Sequence, residues 1–155
     1  MADTLGVQLR SGKSGERKRS AERGHSLGLP ARSALWLVQE VRKGFAYSAL
    51  VRFQKASSLP VGTIADLVGI PQRTLMRRKA KGRLLPDESE RLLRVSGVFE
   101  QAVELFEGDV DAARRWLTTP HKELGNHAPL DFARTEIGAR EVEDLIGRLE
   151  HGVFT

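Results

Sequence analysis

Apolar residues recur along this chain at helical spacing. Phe45, Ala49, Leu50 and Phe53 repeat every three or four positions and predict a helix over about residues 45–56. Leu59 precedes Pro60, which disfavours helix at that point. Val61, Ile64, Ala65 and Val68 predict a second, short helix, stopped by Gly69, which is free to take the left-handed conformation of a helix C-terminus. Pro71 suits the start of a third helix, with Leu75 and Met76 read as its apolar side and Gly82 closing it. Pro86-Asp87-Glu88 opens a longer helix whose buried stripe is Leu92, Val95, Phe99, Ala102, Val103 and Phe106. Asp109 is placed to cap a helix carrying Val110, Ala113 and Leu117, with Trp116 beside them, that ends at Thr118-Thr119-Pro120. Pro129 begins a short helix through Phe132. Ala139, Val142, Ile146 and Leu149 mark one face of a last helix running to about His151. The cluster Leu35, Trp36 and Val38 after Ser33 fits a short helix or an extended segment. Residues 1–32 are rich in Gly, Ser, Arg and Lys without a sustained period, and are expected to form a mobile basic arm. No alternating strand pattern and no internal repeat stands out, so the expected fold class is all-α.

Charge divides this helical string in two. Residues 1–99 carry 19 Lys and Arg against 8 Asp and Glu, whereas residues 100–155 carry 6 against 12. The first part suits a polyanionic partner and the second a basic protein surface, unless the drift is fortuitous. The chain has 155 residues and no cysteine, which removes disulfides, thiol catalysis and cysteine-ligated zinc. It agrees with a reducing, cytoplasmic setting. The N-terminus lacks the apolar stretch of a signal peptide, and the run Ala34-Leu35-Trp36-Leu37-Val38 is far too short to span a bilayer, so no membrane association is expected.

Residues 61–80 carry the most specific pattern. A helix-turn-helix needs a small residue where its helices cross, a positive-φ turn and apolar anchors on either side. Ala65, Gly69, and the set Ile64, Val68, Ile70 and Leu75 meet those needs. The second helix then presents Gln72, Arg73, Thr74, Arg77, Arg78 and Lys79, and no acidic residue occurs between Pro71 and Leu85. Guanidinium groups bridge guanine O6 and N7 or clamp phosphates, and a glutamine reads adenine. Because the first turn of a recognition helix meets base edges, Gln72, Arg73 and Thr74 are the readout candidates. Arg77, Arg78 and Lys79 are assigned to phosphates or the groove edge. Arg78 stands where many such motifs have another apolar anchor. The plainer alternative is a solvated basic face of a helical hairpin.

Catalysis finds little support. Glu141 and Asp144 sit on an acidic helix with no burial to shift their titration. His25, His121, His127 and His151 lack metal-ligand spacing, and no glycine-rich phosphate loop follows a strand. The expectation is a non-enzyme without metal or cofactor, with Gly97 and Gly147 read as packing contacts inside helices.

The words Trp116-Leu-Thr-Thr-Pro120, Leu124-Gly125, Pro129-Leu130-Asp131 and the run from Thr135 through Gly138, Val142, Gly147 and His151 to Gly152 occur in an order that resembles the toxin-binding domain of the Xre/MbcA/ParS antitoxins. The helix-turn-helix upstream is similar to the Xre-like module preceding it in that family. The resemblance covers about residues 43–155 and departs at residues 121–128, where His121 replaces the usual asparagine. It implies a two-part helical protein, an Xre-like DNA-binding domain over 33–85 and a helical toxin-binding domain over 86–155, preceded by the basic arm over 1–32 read from composition. It also implies a RES-domain toxin partner that destroys NAD⁺, with the antitoxin masking the toxin's pocket and repressing its own operon. The residues offer a physical route to this. With Val142, Ile146 and Leu149 inward, helical geometry sets Glu141, Asp144, Arg148 and His151 outward or on the flanks. Glu141, Asp144 and Glu150 are matched to arginines of a pyrophosphate pocket. Gly147 permits close backbone approach, and Gly152-Val153-Phe154-Thr155 supply an apolar plug and a terminal carboxylate. Without the resemblance, a solvated helix face is the favoured reading of these carboxylates, and a frayed end is the plain reading of Phe154. Operator DNA is the expected second partner, met as a homodimer. The competing reading is a stand-alone repressor whose acidic part only dimerises.

Overall fold

A computed structural model describes residues 23–152. Its α-helices are α1 (Ala34–Lys43), α2 (Tyr47–Ser57), α3 (Val61–Val68), α4 (Gln72–Lys81), α5 (Pro86–Leu105), α6 (Val110–Thr118), α7 (Pro129–Phe132) and α8 (Glu136–Glu150), with 3-10 turns at His25–Leu27 and Lys122–Leu124. No strand occurs among the described residues. Two isolated backbone bridges, Ala46 with Arg83 and His121 with His127, tie loops together. The all-α expectation therefore holds.

Local chemistry sets the helix ends. Ser33 Oγ accepts the Trp36 amide at 3.2 Å, so the ambiguous segment after it is a helix, α1. Asp109 accepts the Ala112 amide at 3.0 Å at the start of α6, and Thr135 Oγ1 accepts the Gly138 amide at 3.0 Å at the start of α8. Each side chain satisfies an amide that the helix leaves unpaired. Glu88 reaches back to accept the Leu85 amide at 2.9 Å and so fastens the first turn of α5, where Pro86 needs no amide partner.

The 20-residue α5 is the axis of the molecule. It packs against α8, α6, α1, α3 and α2. Leu92, Val95, Val98 and Ala102 are sealed from solvent, and Phe99 meets Phe53 of α2 edge to face, with centroids 5.4 Å apart. Each such large side chain contributes about 1.5–3 kcal/mol on leaving water. One continuous buried cluster runs from Leu27 and Phe45 through α5 to Ile146.

Several expectations are corrected by this packing. Residues 23–29 do not behave as a loose arm: Leu27 is buried, and the Glu100 carboxylate of α5 accepts the amides of Gly24 and Ser26, both at 3.0 Å, as well as the Ser26 hydroxyl. The rest of the expected arm, residues 1–22, lies outside the described residues. Across residue 85, α5 packs against elements on both sides. In α1 the buried residue is Leu37, while Leu35 and Val38 are exposed. Met76, expected on the apolar side of its helix, is 69% exposed. Gly97 is a packing contact, since a β-carbon there would lie 3.3 Å from Arg23 Nε, but one on Gly147 would meet nothing within 4 Å.

Candidate nucleic-acid and protein interfaces

Helices α3 and α4 form the turn that the spacing of Ala65, Gly69 and Leu75 predicts. Gly69 adopts φ 72°, and the Ile70 amide returns to the Ala65 carbonyl at 2.8 Å. Ile64, Val68, Ile70 and Leu75 are buried beneath it. Helix α5 braces both members. Arg91 donates Nε to the Val68 carbonyl at 2.5 Å, capping α3, and is itself within 3.4 Å of Asp87. Arg78 donates Nε to Glu88 Oε1 at 2.8 Å, an ion pair largely shielded from water, and that hydrogen bond raises the arginine's affinity for its proton above the ordinary level.

Arg78 thus fills the place of the missing apolar anchor with a charge pair and is turned away from the outer face. Once Leu75 and Arg78 point inward, helical geometry sends Gln72, Arg73, Met76, Arg77 and Ala80 outward. All five are exposed, as are Lys79 and Lys81. Thr74 is half-buried, with its hydroxyl accepting from Arg77 Nη2 at 3.2 Å. Of the six residues assigned to nucleic acid, Gln72, Arg73, Arg77 and Lys79 share the open surface, Thr74 supports Arg77, and Arg78 is held by Glu88. Asp66 is the acidic side chain of α3, and Arg134 from the segment after α7 pairs with it; Arg134 also bonds Asp131 at 3.0 Å.

The second surface is the outer face of α8. Its inner stripe is Ala139, Val142, Leu145 and Ile146, all buried, with Leu149 partly so. Gly138 is where the helix touches the preceding turn: a β-carbon would lie 1.7 Å from the Phe132 carbonyl oxygen, so only glycine lets α8 seat against α7. Glu141, Asp144, Arg148 and His151 are exposed along one stripe, spaced three and four residues apart, and Gly152 continues it with φ 65°. Open Gly147 lies beside that stripe. Val153, Phe154 and Thr155 lie outside the described residues. A neighbouring residue that periodicity did not single out, Glu143, is half-buried on the rim of a cleft of about 610 Å³ between α1, α5 and α8. Burial pushes its carboxyl above the ordinary value of 4.5, and Asp144 adds to that, while Arg23 and Arg140 oppose it.

The two loop histidines are structural braces. His121 Nε2 lies 2.9 Å from the Trp116 carbonyl, which only accepts, so this nitrogen carries a proton; its ring packs on the Trp116 indole at 5.1 Å. His127 stacks on Phe132 at 5.7 Å. The backbone between them closes through His121 N–H to His127 O at 3.2 Å and Asn126 N–H to His121 O at 2.9 Å. No group of three or more His, Asp or Glu side chains that could hold a metal occurs among the described residues. None of their helices is long and apolar enough to cross a membrane.

A helix-turn-helix with a cationic outer face, fused through one shared helix to an acidic helical part, defines a DNA-binding protein of two functions. Comparison with known families narrows the class. Residues 37–97 match the Antitoxin Xre-like helix-turn-helix domain, and residues 101–152 match the Antitoxin Xre/MbcA/ParS C-terminal toxin-binding domain. The two matches meet inside α5. The chain is 45% identical over 130 residues to an "Antitoxin Xre" of Yersinia enterocolitica serotype O:8 / biotype 1B, spanning 83% of this chain and 88% of the relative. It is 36% identical over 131 residues to the "Antitoxin Xre" of Photorhabdus laumondii subsp. laumondii, spanning 84% and 88%. With the "Antitoxin Xre" of Pseudomonas putida it shares 32% over 114 residues, spanning 72% and 69%. The chain belongs to the Xre antitoxin family. It is an antitoxin of a toxin–antitoxin system, with a DNA-binding and a toxin-binding part, and not an enzyme.

Proposed function

We propose that this antitoxin neutralises a RES-domain toxin by laying the outer face of α8 and the residues that follow it over the toxin's NAD⁺ pocket, and that it represses its own operon as a homodimer in the cytoplasm. The observation that carries the toxin half is the exposed stripe Glu141, Asp144, Arg148 and His151 beside open Gly147. Carboxylates at the mouth of a pocket that holds pyrophosphate meet the same arginines that the phosphates would. Gly147 leaves room for a facing backbone, and Gly152 continues the stripe beyond His151. The DNA half rests on Gln72, Arg73, Arg77 and Lys79, with Arg73 and Gln72 at base edges and Arg77 and Lys79 toward phosphates. Paired α4 helices of a homodimer would enter successive major grooves about one DNA turn apart.

The test is capture of a co-expressed RES-domain toxin on the tagged full chain, with growth rescue scored in parallel. Removing residues 152–155 is expected to weaken both, while DNA binding persists. Rescue by a chain lacking the α8 stripe charges would overturn the masking arrangement. A full chain that binds duplex DNA but neither captures nor rescues would favour the stand-alone repressor.

A further inference from the structure

We propose that Met76 is a base-reading residue that contacts the C5 methyl group of a thymine in the major groove; this rests on the DNA-binding role of α4 argued above. Met76 is 69% exposed, on a helix whose other exposed side chains, Ala80 apart, are polar or charged. Its position is forced. Leu75 is buried under α3, and Arg78 is drawn in to Glu88 at 2.8 Å, so the face containing 75 and 78 is inward and residue 76 lies on the opposite side. There it is framed by Gln72 one turn before and Ala80 one turn after, with Arg73 and Arg77 along one flank and Lys79 on the other, all exposed.

The chemistry of that face is uneven in a useful way. Gln72, Arg73 and Arg77 offer hydrogen-bond donors, which suit adenine and guanine edges. Met76 offers none, and its thioether is only a weak acceptor for a cytosine amino group. The apolar feature that B-DNA displays in the major groove is the thymine methyl. A flexible, polarizable side chain beside these arginines fits a methyl next to the donors' targets without demanding one rotamer. Charge complementarity fixes the occupant of this exposed apolar position: two flanking guanidinium groups and no acidic residue from Pro71 to Leu85 favour a polyanion over a hydrophobic protein surface.

The experiment uses the full chain and the duplex it selects from a randomised pool. That duplex is resynthesised with deoxyuridine for thymidine one position at a time, which removes the methyl alone. For the unsubstituted chain, one thymine per half-site is expected to lose about fourfold in affinity, the worth of one buried methyl group. With Met76→Ala that discrimination disappears at the same position and survives at every other. Met76→Leu keeps it. The salt dependence is expected to be unchanged in both variants. Salt-dependent binding in which Met76→Ala changes no methyl effect overturns the Met76 assignment while leaving α4 as the recognition helix. Failure to select any duplex with salt-dependent affinity overturns the DNA-binding reading of α4 and the assignment with it.

Discussion

Replacing Gly147 with alanine is expected to change stability and toxin binding in opposite directions. Gly147 lies inside α8, where glycine costs about 1 kcal/mol relative to alanine because it loses more backbone freedom on folding. A β-carbon there meets nothing within 4 Å in this chain, so no clash offsets the gain. For a domain of this size, about 1 kcal/mol corresponds to a rise in Tm of about 2–4 °C. The same methyl projects beside Asp144 and His151, at the edge of the stripe assigned to the toxin. If the toxin backbone closes on that spot, an added methyl in a packed interface costs about 1–3 kcal/mol, or about 5- to 150-fold in Kd. Calorimetry of the free chain and titration against the toxin supply the two numbers. A variant that is more stable and binds toxin undiminished would refute the placement of the toxin on the open face of α8.

Gly138 gives the contrasting case, since its β-carbon would collide with the Phe132 carbonyl oxygen; Gly138→Ala is expected to lower Tm and lose toxin binding, as judged by thermal unfolding and capture. Arg77→Ala and Lys79→Ala, at the two residues assigned to phosphates, should each reduce the slope of log affinity against log salt by about 0.9, with toxin neutralisation intact. Arg78→Ala should instead lower Tm, because it strands the buried Glu88 carboxylate, and should recover part of that loss when combined with Glu88→Gln. Burial raises the Glu143 carboxyl above 4.5, so its protonated form favours the fold: that contribution is present below 4.5 and is lost as pH rises through the raised value. Glu143→Gln is therefore expected to match the parent in acid and to exceed its Tm progressively toward neutrality, and a constant gap across pH would contradict the assigned cause.

The helices were legible because their signals are local. Asp109, Gly69 and Pro86 punctuate apolar stripes whose period needs no knowledge of the partner element, and Ile64, Val68 and Val142 are buried where that period puts them. What escaped depends on contacts remote in sequence. Glu100 reaches residues 24 and 26, 76 and 74 positions away, so a stretch with no period of its own is docked as firmly as a helix. Arg78 stands at an anchor position, but the charge pair that replaces the anchor depends on Glu88, ten residues on, and the inward turn of Arg78 is what exposes Met76. Leu37 is chosen over Leu35 and Val38 because α5 passes on that side of α1. The stripe Glu141, Asp144, Arg148 and His151 followed from helical geometry, but Glu143 differs from its exposed neighbours only through the cleft formed with α1 and α5.

The most direct test of a toxin-masking α8 is the rate of NAD⁺ consumption by a purified RES-domain toxin titrated with the full antitoxin and with the same chain ending at His151. The full chain is expected to abolish turnover at a stoichiometric end point, and the shortened chain to bind while leaving much of the turnover in place. A toxin that is saturated with the full chain and still consumes NAD⁺ at its free rate would contradict the account.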